Sequence, residues 1–190
     1  MLRDPFHHND AEPLRSDLAS SYDQFSSGDV LISVRTLNLL FVIDPDNLKV
    51  KWWSQGHFQR QHDPDWAADG KIYVYDNRSF GKKSQIASLR TDIAGSDARE
   101  TQVDGEALLW FEPSRGNHDL VERDSGYNHL IVDDRDGRVL LIGSDNEIIF
   151  EIQNLLDADS ALNVRSALWL SRSDFNRLEQ NCMNEGQAFD

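Results

Sequence analysis

Short apolar runs alternate with polar turn residues through the middle of the chain, from Asp29 to about position 152. The runs are rich in β-branched, aliphatic and aromatic residues, and each has the length of a β-strand. Turn-forming residues separate them, for example at 44–47 (Asp-Pro-Asp-Asn) and 136–137 (Asp-Gly). The pattern predicts nine strands in three sets: 30–34, 39–43 and 50–53; 71–75, 85–89 and 99–103; 130–132, 139–142 and 148–152.

Sets of three or four short strands that recur about every 40–50 residues are typical of β-propeller blades. A β-sandwich is the alternative, because it is also built from many short strands. Each set ends in an aromatic or acidic strand that resembles the outer edge of a blade, which favours the propeller. The sequence therefore predicts an all-β fold: a β-propeller with about three to four blades in this chain, an incomplete propeller if the full ring has more.

Three segments are expected along the chain. Residues 1–28 are rich in Asp, Ser and His without a sustained apolar period, so they are predicted to be an extended connection into the first strand. Residues 29–170 hold the blades. Residues 171–190 are predicted to form a short helix and tail, because Phe175 and Leu178 have helical spacing and Ser173 or Asp174 can serve as the N-cap.

The chain is strongly acidic, with 33 Asp and Glu residues against 19 Lys and Arg residues and a net charge of −14. This charge repels nucleic acids and anionic membrane surfaces, so neither is expected as a partner. No apolar run reaches the ~20 residues of a membrane span, and residues 1–5 lack the pattern of a secretory signal. The one cysteine, Cys182, rules out an internal disulfide and a thiolate metal cluster.

Histidines with polar neighbours recur along the chain. His7, His62 and His118 each lie beside Asn, Asp or Arg residues. In a propeller, loops and inner strands of separate blades converge on one axis, so these histidines can meet there. A solvated or core histidine is the alternative for each one, and a site for zinc, copper or iron is another. Because no H-x-x-x-H pair is present, the sequence predicts no metal ion and no cofactor.

Five stretches carry a resemblance to a known family: 4–13 (DPFHHNDAEP), 28–35 (GDVLISVR), 52–56 (WWSQG), 61–66 (QHDPDW) and 76–77 (DN). In this order they resemble the bacterial arylsulfotransferases (aryl-sulfate sulfotransferases), a β-propeller family, and the resemblance extends over residues 4–172. It implies transfer of a sulfuryl group from a phenolic sulfate donor to a phenol acceptor through a sulfated histidine, without a nucleotide donor. It also implies a periplasmic or other extracytoplasmic location.

The resemblance assigns catalytic roles to four residues. His62 matches the nucleophilic histidine of the family. His7 and Asn9 match the His-x-Asn pair at the sulfate, and Arg35 matches the arginine after the blade strand. A further catalytic histidine of the family lies in an earlier blade, and no residue of this sequence matches it.

Three more residues are expected to bind substrate, namely Trp66, Arg115 and His118. Trp66 follows His62 by four residues and can stack on a phenol, whereas the other blade tryptophans are expected to pack between blades. The alternative function is a non-catalytic propeller fragment that acts as a binding or assembly subunit. An incomplete propeller leaves strand edges uncovered, so a homo- or hetero-oligomer is expected in either case.

Overall fold

The computed structural model describes residues 4–81, 83–93, 98–106, 108–124, 126–158 and 160–186, with only the backbone described for 181–186. The strands in these residues are β1 (His8–Pro13), β2 (Val30–Val34), β3 (Leu39–Asp44), β4 (Lys49–Gln55), β5 (His62–Trp66), β6 (Lys71–Asp76), β7 (Gln85–Arg90), β8 (Arg99–Asp104), β9 (Asn117–Arg123), β10 (Gly126–Asp133), β11 (Arg138–Ile142) and β12 (Ile148–Gln153). The helix α1 (Arg172–Gly186) follows them.

These strands form three antiparallel sheets of four strands each. Within every sheet the strands lie side by side in chain order, from β1 to β4, from β5 to β8 and from β9 to β12. The first strands of neighbouring sheets contact each other, β1 with β5 and β5 with β9. Each sheet is therefore a blade with its first strand innermost, and the predicted propeller architecture is confirmed, with three blades in the described residues.

Apolar cores lie between successive blades. Leu31, Leu40 and Val42 of the first blade pack with residues of the second that include Ile72 and Val74. A second core joins the other face of the second blade to the third blade; its largest fully buried members include Tyr75, Trp110, Ile131 and Leu140. Alternate residues of a middle strand point to opposite faces, so a strand between two cores is apolar throughout.

All nine predicted strands are present, each within one of the observed strands. The pattern does not predict the innermost strands β1, β5 and β9, whose sequences are HNDAEP, HDPDW and NHDLVER. These strands are polar because they lie at the hub of the blades, and the apolar alternation that marks the other strands is missing. Strand β1 falls inside the segment 1–28, which was expected to be only a connection.

The predicted C-terminal helix is confirmed as α1, but its N-cap is Ser171 instead of Ser173 or Asp174. The Oγ of Ser171 accepts a hydrogen bond from the main-chain N of Asp174 at 3.1 Å and donates one to its carboxylate at 2.6 Å. A serine that precedes the first helical residue by one position can make this contact with the third residue of the helix, which explains the correction.

The predicted tail at 187–190 and the side chain of Cys182 lie outside the described residues. In the described part of the chain, no helix has both the length and the apolar character that crossing a bilayer requires.

Candidate active site

The inner strands β1 and β5 both carry a β-bulge where the predicted catalytic residues lie. In β1 the extra residue is Asn9, at which the pairing with β2 shifts. In β5 the pairing with β6 shifts after His62, and Asp63 adopts a left-handed φ of +49°. A bulge redirects side chains away from the regular alternation of a strand. Asn9 thereby reaches the next blade, where its Nδ2 donates to the main-chain oxygen of Gln61 at 2.6 Å.

His62 is held by Asn77 through one ring nitrogen. Its Nδ1 lies 2.6 Å from Oδ1 of Asn77. Two hydrogen bonds fix the orientation of the Asn77 amide, because its Nδ2 donates to the main-chain oxygen of Glu112 at 2.7 Å and to that of Arg115. Its oxygen therefore accepts from His62, and a neutral His62 must carry its proton on Nδ1. The nucleophilic lone pair of this tautomer is on Nε2.

The loop that orients Asn77 is itself fixed by a buried carboxylate. Glu112 accepts hydrogen bonds from the main-chain N of Ser114 at 3.0 Å and of Arg115 at 3.1 Å. It also accepts one from the main-chain N of Arg135, in the third blade, at 3.2 Å. The position of His62 thus depends on contacts that join the second and third blades.

Arg35 forms no ion pair with a carboxylate of the described residues, although the chain is rich in acids. Its Nε is buried without a hydrogen-bond partner, and so is Oδ1 of Asn9. The main-chain N of Arg35 donates to the oxygen of His7 at 3.0 Å, which places both residues at the same end of the first blade. Because buried polar atoms normally have partners, unpartnered ones on neighbouring residues indicate a place for a polar ligand, and a guanidinium suits an anion.

The electrostatic environment keeps His62 neutral. Burial lowers the pKa of His62, and the positive charges of Arg35 and His7 lower it further, against smaller rises from the hydrogen bond to Asn77 and from the main chain of Arg60. The imidazole is therefore uncharged near pH 7, the form that can act as a nucleophile. Burial, aided by the neighbouring Arg60, also lowers the pKa of Arg35, but a guanidinium remains charged.

A second polar cluster lies beyond His62 on the inner strands. The side chain of His118 is fully buried, with Nδ1 3.4 Å from Oδ2 of Asp63 and Nε2 3.2 Å from Oδ2 of Asp65. Burial by itself would lower the pKa of His118, but the two carboxylates outweigh it and raise the pKa. Among the described residues, these three form the group that could hold a metal ion, with their ligand atoms all within 4.8 Å of one another.

The neighbouring carboxylates add negative charge to this region. Burial raises the pKa of Asp10 to about 6, and the charge of Asp63 adds to the rise. Burial likewise raises the pKa of Glu12 to about 7. The inner strands therefore present basic groups around His62 and acidic groups beyond it.

The four residues expected to be catalytic lie close together. His7 and Arg35 are joined through their backbones, Asn9 is bonded to the residue before His62, and both basic residues act on the pKa of His62. Their juxtaposition is what the resemblance implies. Their catalytic roles stay predictions.

Trp66 lies in the core between the first two blades. Its side chain is 4% exposed and packs edge-on against Tyr22 and Phe25, with ring centroids 4.9 and 5.3 Å apart. Its Nε1 donates to the main-chain oxygen of Glu12 at 3.1 Å. The indole is therefore occupied by packing contacts and a hydrogen bond within the protein.

Arg115 and His118 differ in their relation to His62. The main-chain oxygen of Arg115 accepts from Asn77, so its loop adjoins the site, while its guanidinium is paired with Asp134 at 2.8 Å. His118 is enclosed by carboxylates. Neither side chain is a free group in this structure, and their predicted contact with substrate stays a prediction.

Asn77 is the residue to which the sequence analysis gave no role. Asp76 is the last residue of the mostly buried strand β6, Asn77 follows it, and both are themselves buried. The match of 76–77 to the family was one available signal, and a polar pair at the end of an apolar strand was another, because such groups require partners. Those partners are distant in sequence, so the signal does not identify them.

The sequence matches the family model described as Arylsulfotransferase (ASST) over residues 1–155. The chain therefore belongs to the arylsulfotransferase family, and the resemblance found in the sequence is confirmed. No protein of curated function matches the sequence significantly.

Among solved structures, the chain is similar to the selenomethionine-substituted virginiamycin B lyase from Staphylococcus aureus. The identity is 15% and the TM-score 0.39, over 78% of this chain and 45% of that one. The chain thus spans less than half the length of that protein. A likeness of this degree says nothing about the activity of the chain.

Proposed function

We propose that this chain transfers a sulfuryl group from a phenolic sulfate to a phenol, and that His62 carries the group between them. The observation that carries the proposal is the Arg35 guanidinium, unpaired among the described residues, together with an imidazole that holds its proton on Nδ1 and so has its lone pair on Nε2. A neutral nucleophile attacks an anionic sulfate only where positive charge stabilises the oxygens of that group. Membership of the arylsulfotransferase family supports the same chemistry.

In the first step, the Nε2 lone pair of His62 forms a bond to sulfur while the bond from sulfur to the phenolic oxygen breaks. The electron pair of the broken bond leaves with that oxygen, which takes a proton from His7 and departs as a phenol. Arg35 donates to the sulfate oxygens and stabilises their charge in the transition state. The ring of His62 becomes positively charged, with its proton still on Nδ1.

In the second step, the oxygen of an acceptor phenol attacks the sulfur of sulfated His62. The bond from nitrogen to sulfur breaks, and its electron pair returns to Nε2. The phenolic proton passes to His7, which lost one in the first step, so the protein ends in its starting state. Oδ1 of Asn9, which has no partner within the described residues, suits the hydroxyl group of this acceptor.

Covalent labelling tests the proposal. The protein is incubated with 4-nitrophenyl sulfate, quenched and mapped by peptide mass spectrometry for the mass of one SO3 group. We expect the label on His62, none in His62→Ala, and an unchanged label in His57→Ala, a matched histidine variant from the connection that precedes β5. A wild-type protein without label, or a label that persists in His62→Ala, would overturn the proposal.

A further inference from the structure

The buried group formed by Asp63, Asp65 and His118 joins two blades, since the aspartates lie on β5 and the histidine on β9. Oδ2 of Asp63 accepts hydrogen bonds from the main-chain N of His118 and from Nδ2 of Asn117, but the polar atoms of the other two residues are poorly satisfied. Both ring nitrogens of His118 and Oδ2 of Asp65 are buried without a hydrogen bond, although they lie 3.2–3.4 Å from an atom of opposite charge. The side chain of His118 is 0% exposed, so water does not reach it from the surface.

The separation of His118 Nε2 from Asp65 Oδ2 suits two ligands of one metal ion, and the ligand atoms of all three residues lie within 4.8 Å of one another. Two ligands at right angles, each about 2.1 Å from an ion, are about 3.0 Å apart. Nε2 of His118 and Oδ2 of Asp65 are separated by 3.2 Å, yet they do not have the alignment of a hydrogen bond. Ligand atoms around a metal point at the ion instead of at each other. This arrangement accounts for the short separation of the two atoms and for the absence of a hydrogen bond between them.

We propose that Asp63, Asp65 and His118 bind a divalent transition-metal ion that links the second and third blades. The acid-rich surroundings favour a cation, since Asp10 and Glu12 of the neighbouring strand β1 both act electrostatically with Asp63 and His118. The site differs from the sulfuryl-transfer site, and its existence does not depend on that activity.

A cavity of about 190 Å³ adjoins one member of the group, Asp65. It is also lined by the acidic residues Glu12, Asp119 and Glu122 and by the basic residue Arg15. Such a volume holds several water molecules, and its mostly acidic lining attracts cations toward Asp65.

The donor set selects the class of ion. Two carboxylates with one imidazole suit Mn²⁺ or Zn²⁺, because an imidazole is a good ligand for transition metals, whereas Ca²⁺ and Mg²⁺ prefer oxygen ligands alone. Ca²⁺ is therefore expected to bind more weakly than Mn²⁺, and the His118 ring accounts for that difference.

The experiment uses the full chain, purified without a histidine tag and freed of metal with a chelator. Mn²⁺ binding is followed by electron paramagnetic resonance and by titration calorimetry. We expect one ion per chain, and binding at least about tenfold weaker in Asp65→Asn and in His118→Gln, since even an outer contact to a ligand is worth that much. Asp46→Asn, in an exposed turn of the first blade, is the matched control and should bind as the wild type does.

Circular dichroism of each variant shows whether the fold is retained. Asp65→Asn keeps the number of non-hydrogen atoms in the side chain and removes a buried carboxylate, so we expect it to fold. The proposal is overturned if the wild-type protein binds no stoichiometric Mn²⁺, or if folded Asp65→Asn binds it equally well. Equal affinity for Ca²⁺ and Mn²⁺ would also overturn it, since the imidazole would then not be a ligand.

Discussion

Replacing Asn77 with alanine removes the acceptor that holds the Nδ1 proton of His62. We expect sulfation of His62 to slow by about tenfold, although Asn77 touches neither the sulfate nor the phenol. The same change leaves the main-chain oxygens of Glu112 and Arg115 without their donor. Each unsatisfied carbonyl costs about 1–3 kcal/mol of folding stability, so the variant is also expected to be less stable.

The size of the rate effect follows from the charge of the imidazole ring. A hydrogen bond between neutral groups contributes about 0.5–1.5 kcal/mol, and one to a charged group about 1.5–3 kcal/mol. The His62 ring gains positive charge as its bond to sulfur forms, so its contact with Asn77 strengthens by about 1–1.5 kcal/mol on the way to the transition state. That difference corresponds to about a tenfold change in rate.

The assay is the single-turnover release of 4-nitrophenolate from 4-nitrophenyl sulfate, with ¹⁵N NMR of His62 as a second measurement. NMR distinguishes the two neutral tautomers, and we expect Nδ1–H in the wild type and a mixture in Asn77→Ala. Asn77→Asp retains an acceptor but loses both donor bonds, so it should keep the Nδ1–H tautomer while losing stability. Asn47→Ala, in an exposed turn of the first blade, is the control.

The reasoning fails if folded Asn77→Ala keeps both the wild-type tautomer and the wild-type rate. It also fails if Asn77→Ala and Asn77→Asp have different tautomers but the same reduced rate. In that case the loop at Glu112, and not the orientation of His62, determines the rate.

Other measurements test separate parts of the structure. Arg35→Lys keeps the positive charge but loses the planar guanidinium group, which can hold two sulfate oxygens. We expect labelling of His62 to persist, with an activation free energy for sulfation raised by about 2–4 kcal/mol. An unchanged rate in stopped-flow measurements would contradict this. Trp66→Ala should lower the free energy of unfolding by about 3–5 kcal/mol in urea titrations, whereas Trp53→Ala, at a position 64% exposed, should change it by less than about 0.5 kcal/mol. Similar losses for the two would argue against the core position of Trp66. Initial rates with donor and acceptor should give the parallel double-reciprocal lines of a ping-pong mechanism, and intersecting lines would exclude a sulfated enzyme. Light scattering should give a mass above that of one chain, because Ile149 and Ile152 are exposed on the outer strand β12; a monodisperse monomer would refute the expected association.

The strands that could be predicted are those that lie in apolar surroundings. Strand β6 has buried residues on both faces, and its sequence is a run of apolar and aromatic residues that indicates a strand without further information. Strand β5 contains His-Asp-Pro-Asp, which by itself is typical of a turn. Its extended conformation depends on pairing with β6 and on contacts with β1, which the local pattern does not contain.

In the candidate site, too, some residues could be predicted from the sequence and some contacts could not. His62 and Arg35 could be found because short motifs match the family, but the partner of His62 lies 15 residues further along the chain. The contact between Asp63 and His118 spans 55 residues. Such contacts arise from the packing of whole blades, so the orientation of His62 and the acidic cluster required the tertiary structure.

The bulge at Asn9 makes the length of strand β1 as important as its composition. A deletion at this position would restore regular pairing with β2 and keep His8 opposite Val34, but it would remove the side chain that reaches Gln61 of the next blade. The link between the first two blades would then be lost even though the regular strand pairing had improved. Insertions and deletions in natural relatives should therefore avoid this stretch and collect in turns such as 67–70, at the opposite end of strand β5. An alignment that closes the bulge with a gap would leave Asn9 without a counterpart.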